Sequence, residues 1–324
     1  MTQVTYLEAI RDGLREEMRR DPRVFVLGED VAAYGGAFKI TEGFLEEFGP
    51  WRVIDGPLAE TANVGAGIGA AVMGMRPVVE LQFADFVSDA FTQVVNMAAK
   101  YHWRTRLPLP LVLRMPYGGD VKGGPFHSQC MEAWFAHTPG LKVVAPAFAE
   151  DAKGLLIAAI RDPNPVMYFE HKHLYRYRRE DVPGGEYVTP IGRARVVREG
   201  TALSVISYGW MLHKCLAAAG LAAADGIPAE VLDLRTLAPL DRDAVLASVR
   251  KTGKALIVHE ATRTGGIGGE IAALIAEEAF ESLDGPVVRL ASEDTPVPHN
   301  TGLEAAFQPA VTEIAEAIRR LAAY

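Results

Sequence analysis

Two stretches of this chain carry side chains that could move protons. In Asp55-Gly56-Pro57-Leu58-Ala59-Glu60 an acid opens a helical pattern just after a turn that follows a short apolar run. That places a carboxylate at the carboxyl edge of a strand, where open α/β sheets bind ligands. The residues after it, Thr61 to Met73, are small or apolar with three glycines and no second acid, so Glu60 enters dry surroundings. A desolvated carboxylate holds its proton more tightly and can share it with a ligand. An acid at a helix start is also favoured by the helix dipole alone, and the local sequence leaves both readings open. The second stretch, Gly118-Gly119-Asp120-Val121-Lys122-Gly123-Gly124-Pro125-Phe126-His127-Ser128-Gln129-Cys130, is a glycine-rich loop ending in a histidine. Loops after strands supply mobile catalytic groups, and imidazole titrates near neutrality.

Other candidates are weaker. His137 and the His171/His173 pair compete with His127, but no cysteine or acidic set accompanies the pair to make a zinc site. Cys130 lacks the electropositive setting that a nucleophilic thiolate needs. Gly65-Ala66-Gly67-Ile68-Gly69-Ala70 satisfies a loose dinucleotide pattern. Its glycines stand well beyond the strand end, inside the expected helix, where Gly65 and Gly69 make a smooth packing face instead. Gly265-Gly266-Ile267-Gly268-Gly269-Glu270 fits no phosphate motif and reads as a structural turn.

The elements that must hold these groups follow from periodicity. Short β-branched runs alternate with longer helical patterns, the mark of parallel βαβ units. Thr5-Tyr6-Leu7-Glu8 is a capping box that starts the first helix. Strands are expected at Val24 to Leu27, Arg52 to Ile54, Val78 to Leu81, Leu111 to Arg114, Lys142 to Val144 and Val166 to Phe169. A charged segment with Gly and Pro, Tyr175 to Pro190, reads as a linker leading to a short strand over Ile191 to Val197. The alternation then restarts at Leu203 to Ser207, Ala229 to Asp233, Ala255 to His259 and Val287 to Leu290. Helices are expected near His213 to Ala224, Asp241 to Lys251, Gly268 to Glu281 and Leu303 to Leu321. The expected fold is therefore α/β, two open and mostly parallel sheets with flanking helices, divided into domains 1–185 and 186–324.

With 324 residues, 49% of them hydrophobic and 23% charged, the chain has the make-up of a globular protein. A net charge of -8 opposes nucleic-acid binding, which needs a basic footprint. Two cysteines make no disulfide framework, so a reducing cytoplasm is expected. The N-terminus lacks an apolar signal core, and no apolar run is long enough to span a bilayer.

Taken in order, Gly28-Glu29-Asp30-Val31, Asp55 to Glu60, Gln82-Phe83-Ala84-Asp85-Phe86, His127-Ser128-Gln129 and His137-Thr138-Pro139-Gly140 resemble the beta subunit of the thiamine-diphosphate-dependent 2-oxoacid dehydrogenases. The Gln82 to Phe86 segment and Ala98-Ala99-Lys100-Tyr101 are similar to the branched-chain members in particular. The resemblance implies a transketolase-like pyrimidine-binding domain followed by a transketolase C-terminal-like domain. It implies that Glu60 hydrogen-bonds the cofactor's aminopyrimidine and promotes the tautomer that activates the thiazolium carbon. It also implies that His127 serves the later acyl transfer to lipoamide as a proton donor or acceptor. By the same resemblance Glu29 lies near the aminopyrimidine, Phe86 packs against that ring, and Leu58 and Gln82 line the cofactor. Some relatives hold potassium near positions matching Leu111, Asp162 and Asn164.

No Gly-Asp-Gly occurs in the chain, so the motif that announces an Mg2+-diphosphate site is missing. The expectation is that an alpha subunit supplies Mg2+ and diphosphate binding in an alpha-two, beta-two heterotetramer that docks on a lipoyl-bearing acyltransferase core. Pyruvate or acetoin specificity is the rival within the family. Two readings of other classes are a nicotinamide oxidoreductase and a catalytically silent scaffold. The first requires saturable NAD binding by the chain alone, and we expect a calorimetric titration to find none.

Overall fold

The computed structural model describes residues 2–324. The chain forms two compact units, one of residues 2–117 and 134–191, the other of residues 118–133 and 192–324.

The first unit contains β1 (Thr2–Thr5), α1 (Tyr6–Arg20), β2 (Val24–Gly28), α2 (Phe44–Phe48), β3 (Val53–Asp55), α3 (Glu60–Val72), β4 (Arg76–Glu80), α4 (Ala99–Thr105), β5 (Val112–Tyr117), α5 (Glu132–Ala136, which straddles the unit boundary), β6 (Lys142–Val144), α6 (Ala149–Arg161), β7 (Val166–His171) and β8 (Arg179–Val182). Its sheet runs β6-β7-β5-β4-β2-β3 with every pairing parallel. Strands β2, β5 and β7 are buried along their whole length, as strands covered on both faces must be. The expected capping box is present: Glu8 N–H donates to Thr5 Oγ1 at 3.2 Å and Thr5 N–H to Glu8 Oε2 at 2.7 Å. Gly13 lets α1 and α6 approach, since a Cβ there would lie 3.2 Å from Lys153 Cγ.

Three charged side chains lie inside this sheet. Register places Glu80 of β4 beside Arg114 of β5, with Glu170 on the next strand. The Arg114 guanidinium donates to Glu170 through Nε and Nη2 at 2.6 and 2.7 Å and to Glu80 through Nη1. Tyr175 Oη adds a 2.8 Å bond to Glu170. Burial opposes charge on Glu80 and raises its proton affinity, with repulsion from Glu170 adding to the effect and Arg114 opposing it. On Arg114 burial acts against the cation, but the two carboxylates more than offset it.

The second unit contains β9 (Arg195–Arg198), β10 (Leu203–Ser207), α7 (Gly209–Ala224), β11 (Ala229–Asp233), β12 (Thr236–Ala238), α8 (Arg242–Thr252), β13 (Ala255–Thr262), α9 (Ile267–Glu278), β14 (Val288–Ser292), α10 (Thr301–Phe307) and α11 (Val311–Ala322). Its sheet runs β14-β13-β10-β11-β9, parallel except for β9 at the edge.

Several expectations need correction. The segment Tyr175 to Pro190 is not a plain linker: β8 within it pairs antiparallel with β1, Thr2 opposite Val182. The strand expected over Ile191 to Val197 is β9, which starts later and pairs antiparallel. None of its residues is fully buried, as fits a strand at the end of the sheet.

Arg114→Met is expected to lower stability by about 3–5 kcal/mol, because two buried carboxylates lose their counter-charge. Urea unfolding followed by tryptophan fluorescence checks this.

Candidate active site

In the first unit the parallel register does the gathering. Gly28 pairs with Asp55 on one side and Glu80 on the other, so the chain leaves β2, β3 and β4 at one carboxyl edge. Glu29 and Gln82 lie one and two residues beyond the ends of β2 and β4, and Glu60 opens the helix after the short turn that follows β3. The loop after β2 is tied down on both sides. Asp55 accepts from the Ala32 and Ala33 amides at 2.7 and 3.3 Å, and Gln82 Nε2 donates to Asp30 at 3.2 Å. Thr41 Oγ1 donates to Val31 O at 2.7 Å beneath it.

Glu60 is the first residue of α3 and is buried, although the cap position, Ala59, offers no side-chain bond. The turn before it has no room to spare. A Cβ on Gly56 would lie 2.1 Å from Asn63 Oδ1, while Asn63 Nδ2 donates to Pro57 O at 3.0 Å. Glu60 is not a lone acid. Glu29, also buried, has its proton affinity raised by burial first, then by the charges of Glu60 and Asp30. Two neighbouring carboxylates in a dry site favour holding a proton between them.

Phe86 is half-buried and meets Phe83 edge-on, with ring centroids 5.7 Å apart. Leu58, beside Glu60, is 84% exposed. The open side of α3 is smooth: Gly69 has nothing within 4 Å of a notional Cβ, and Val72 and Met73 are exposed beyond it. Gly67 faces inward, where a Cβ would lie 2.6 Å from Val79 Cγ2. These glycines sit inside a helix rather than in a strand-to-helix turn, so they form no dinucleotide loop.

Leu111, Asp162 and Asn164 precede β5 and β7 and so gather at the opposite, amino edge of the sheet. Asp162 accepts from the Asn164 amide at 2.9 Å and from Lys142 Nζ, and Leu111 O accepts from the Val166 amide at 2.9 Å. A cation there would share oxygens already engaged by these donors.

His127 belongs to the second unit, and the loop that carries it is not a free flap. Gly119 N–H donates to Glu260 Oε1 at 2.5 Å and Lys122 N–H to Glu304 Oε2 at 3.3 Å. Tyr208 Oη donates to Glu132 Oε1 at 2.5 Å, and burial pushes the Glu132 carboxyl up to about 7. Gly123 cannot carry a side chain, since a Cβ would lie 2.5 Å from Ser128 Oγ. The mobility expected of this loop is thus replaced by anchoring along its length.

Two further histidines and a cysteine are enclosed by the fold. His171 is buried edge-on against Tyr117, centroids 5.0 Å apart. Gly266 and Gly268 form a collar around His259, whose ring burial lowers to about 4. Cys215 is buried and its thiol is pushed up to about 12. Among the described residues no group of three or more His, Cys, Asp or Glu is placed to hold a metal ion. No helix among them is long and apolar enough to cross a membrane.

Residues 2–178 match the family model described as "Transketolase, pyrimidine binding domain", and 192–314 match "Transketolase, C-terminal domain". The chain is 49% identical over its whole length to the whole of the 2-oxoisovalerate dehydrogenase subunit beta of Bacillus subtilis (strain 168). The chain belongs to the 2-oxoacid dehydrogenase beta-subunit family. The pyruvate dehydrogenase E1 component subunit beta of the same organism is 45% identical, with 99% of each chain covered. Among solved structures, a split gene transketolase described as an inactive beta4 tetramer aligns with a TM-score of 0.81, covering 99% of each chain at 23% identity, a likeness of fold. The expected α/β class with two open, mostly parallel sheets is correct.

Sequence reasoning singled out Glu60 from its placement and Glu29 only through family resemblance, and the structure buries both at the carboxyl edge of the sheet. It missed Asp55 as the tie between two loops and the buried Glu80, Arg114 and Glu170. A charged residue in or at the end of each of three apolar runs was the available signal for the latter.

Because the folded protein holds Glu29 more protonated than the unfolded chain does, it forfeits stability as pH rises above the ordinary glutamate range. Glu29→Gln is therefore expected to raise the urea midpoint at pH 8 and leave it unchanged near pH 4.

Proposed function

We propose that this chain is the beta half of a heterotetrameric dehydrogenase that oxidatively decarboxylates a branched-chain 2-oxoacid and passes the acyl group to lipoyl groups of an acyltransferase core. The observation that carries this is the buried Glu29 and Glu60 pair at the carboxyl edge of a parallel sheet, in a chain 49% identical end to end to a 2-oxoisovalerate dehydrogenase beta subunit. The 45% identity to a pyruvate dehydrogenase beta subunit makes pyruvate the second reading.

The donor set suits one half of thiamine diphosphate. A protonatable carboxyl is the partner a ring nitrogen needs, and a half-buried phenyl ring suits a flat heterocycle. Glu60 would hold the aminopyrimidine, Glu29 would keep a second acid beside it, and Phe86, Leu58 and Gln82 would line it. Thiamine diphosphate, when bound, supplies the nucleophilic carbon and the electron sink for decarboxylation. The work of this chain would be to hold a carboxyl, Glu60, against the ring and exchange a proton there. His127, on the second unit, would move a proton during acyl transfer. Mg2+ and the diphosphate would fall to an alpha subunit, in an alpha-two, beta-two tetramer. The open face of α3, with Leu58, Val72 and Met73, supplies apolar surface for subunit contact. Leu111, Asp162 and Asn164 are the residues that would hold potassium through backbone and side-chain oxygens. Residues 1–185 and 186–324 would be the two domains of the family, and two free cysteines fit a reducing cytoplasm.

Co-expression with the alpha partner tests this. Decarboxylation is expected only in the pair, with branched 2-oxoacids preferred over pyruvate. Glu60→Gln in an assembled pair is expected to lower the rate by about 10²-fold or more. Activity of the single chain would overturn the shared-site reading, and an unaffected Glu60→Gln variant would leave only a scaffold.

A further inference from the structure

The loop before His127 is pinned most heavily at a residue that no motif singles out. The Asp120 carboxylate accepts from Trp210 Nε1 at 2.6 Å and from Gln308 Nε2 at 2.6 Å, and pairs with Lys214 Nζ at 3.2 Å. The partners come from α7 and from the residue just after α10, two elements far apart in sequence. Asp120 and Lys122 both hold positive φ, +58° and +62°, a conformation that asparagine and aspartate adopt more readily than other residues with side chains. The amides on either side, Gly119 and Lys122, are held by Glu260 and Glu304. From this seat the chain runs through Gly123 and Gly124 directly to His127 with no further slack, because a Cβ on Gly123 would strike both Ser128 Oγ and His127 Cβ.

We propose that Asp120, with Trp210, Gln308 and Lys214, is a positioning site for His127 that serves acyl transfer and is dispensable for decarboxylation. The inference rests on the proposed role of His127. A carboxylate meeting three donors makes charge-assisted bonds that fix direction as well as distance. Its removal takes one acceptor from each of Trp210, Gln308 and Lys214 and loosens the segment from Gly119 to His127. A shift of about 1 Å in a proton-transfer group costs on the order of 10²-fold in rate.

The experiment uses the assembled alpha and beta pair and two assays, decarboxylation with an artificial electron acceptor and acyl transfer to a lipoylated carrier domain. Asp120→Ala is expected to lower acyl transfer by about 10²-fold while decarboxylation stays within about twofold. Trp210→Phe, which removes one N–H and keeps the ring, should give a smaller loss with the same selectivity. Hydrogen exchange provides a readout independent of turnover: the Gly119 and Lys122 amides should exchange faster in Asp120→Ala and at the wild-type rate in His127→Ala. Equal loss in both assays, or no loss of transfer with either variant, overturns the proposal. If His127→Ala itself leaves transfer intact, the reading of His127 fails instead, and faster exchange in Asp120→Ala would then mark the seat as structural only.

Discussion

The first unit depends on a cation placed where no water reaches. Arg114 bridges the carboxylates of the strands on either side, Glu80 in β4 and Glu170 in β7, and is itself fully buried. Apolar side chains alone would tolerate neighbouring parallel strands sliding by two residues, because every second position presents the same face. Two fixed ion pairs do not tolerate it, since a slip would strand three charges in the interior. The carboxyl edge that presents Glu29, Glu60 and Gln82 is therefore set by charge matching inside the sheet.

That edge then acquires its chemistry from what surrounds it. Glu29 and Glu60 come from different strand ends, and the parallel register brings them close enough for one charge to raise the proton affinity of the other. Backbone amides hold the neighbouring acid, Asp55, so not every carboxylate here behaves alike. Asp55 spends its oxygens on holding the loop after β2, whereas Glu29, facing a second acid in a dry setting, binds its proton more tightly than a free glutamate does.

Much of this was legible in the sequence. The alternation of short apolar runs with helical patterns placed nearly every strand within a few residues, and Thr5 with Glu8 marked the first helix start. Glu60 was visible because a turn, a helix start and an apolar helix coincide there. What escaped was non-local. The pairing of β1 with β8 depends on contact between residues some 180 positions apart, and neither strand carries a long β-branched run. The anchoring of the His127 loop was hidden for the same reason: its acceptors and donors, Glu260, Glu304, Trp210 and Gln308, lie on later elements, whereas glycine content alone reads as freedom.

The grouping of residues 118–133 with the second unit also orders events during synthesis. The strands of the first unit are complete once Val182 has emerged, and β1 can then find β8. The loop that bears His127 has left the ribosome by that time, yet Trp210 and Gln308, which hold it, are still to come. A nascent chain therefore carries a folded first unit with this glycine-rich excursion unsatisfied until nearly the last helix is made, and protection of the loop from proteases should be among the last properties the chain acquires.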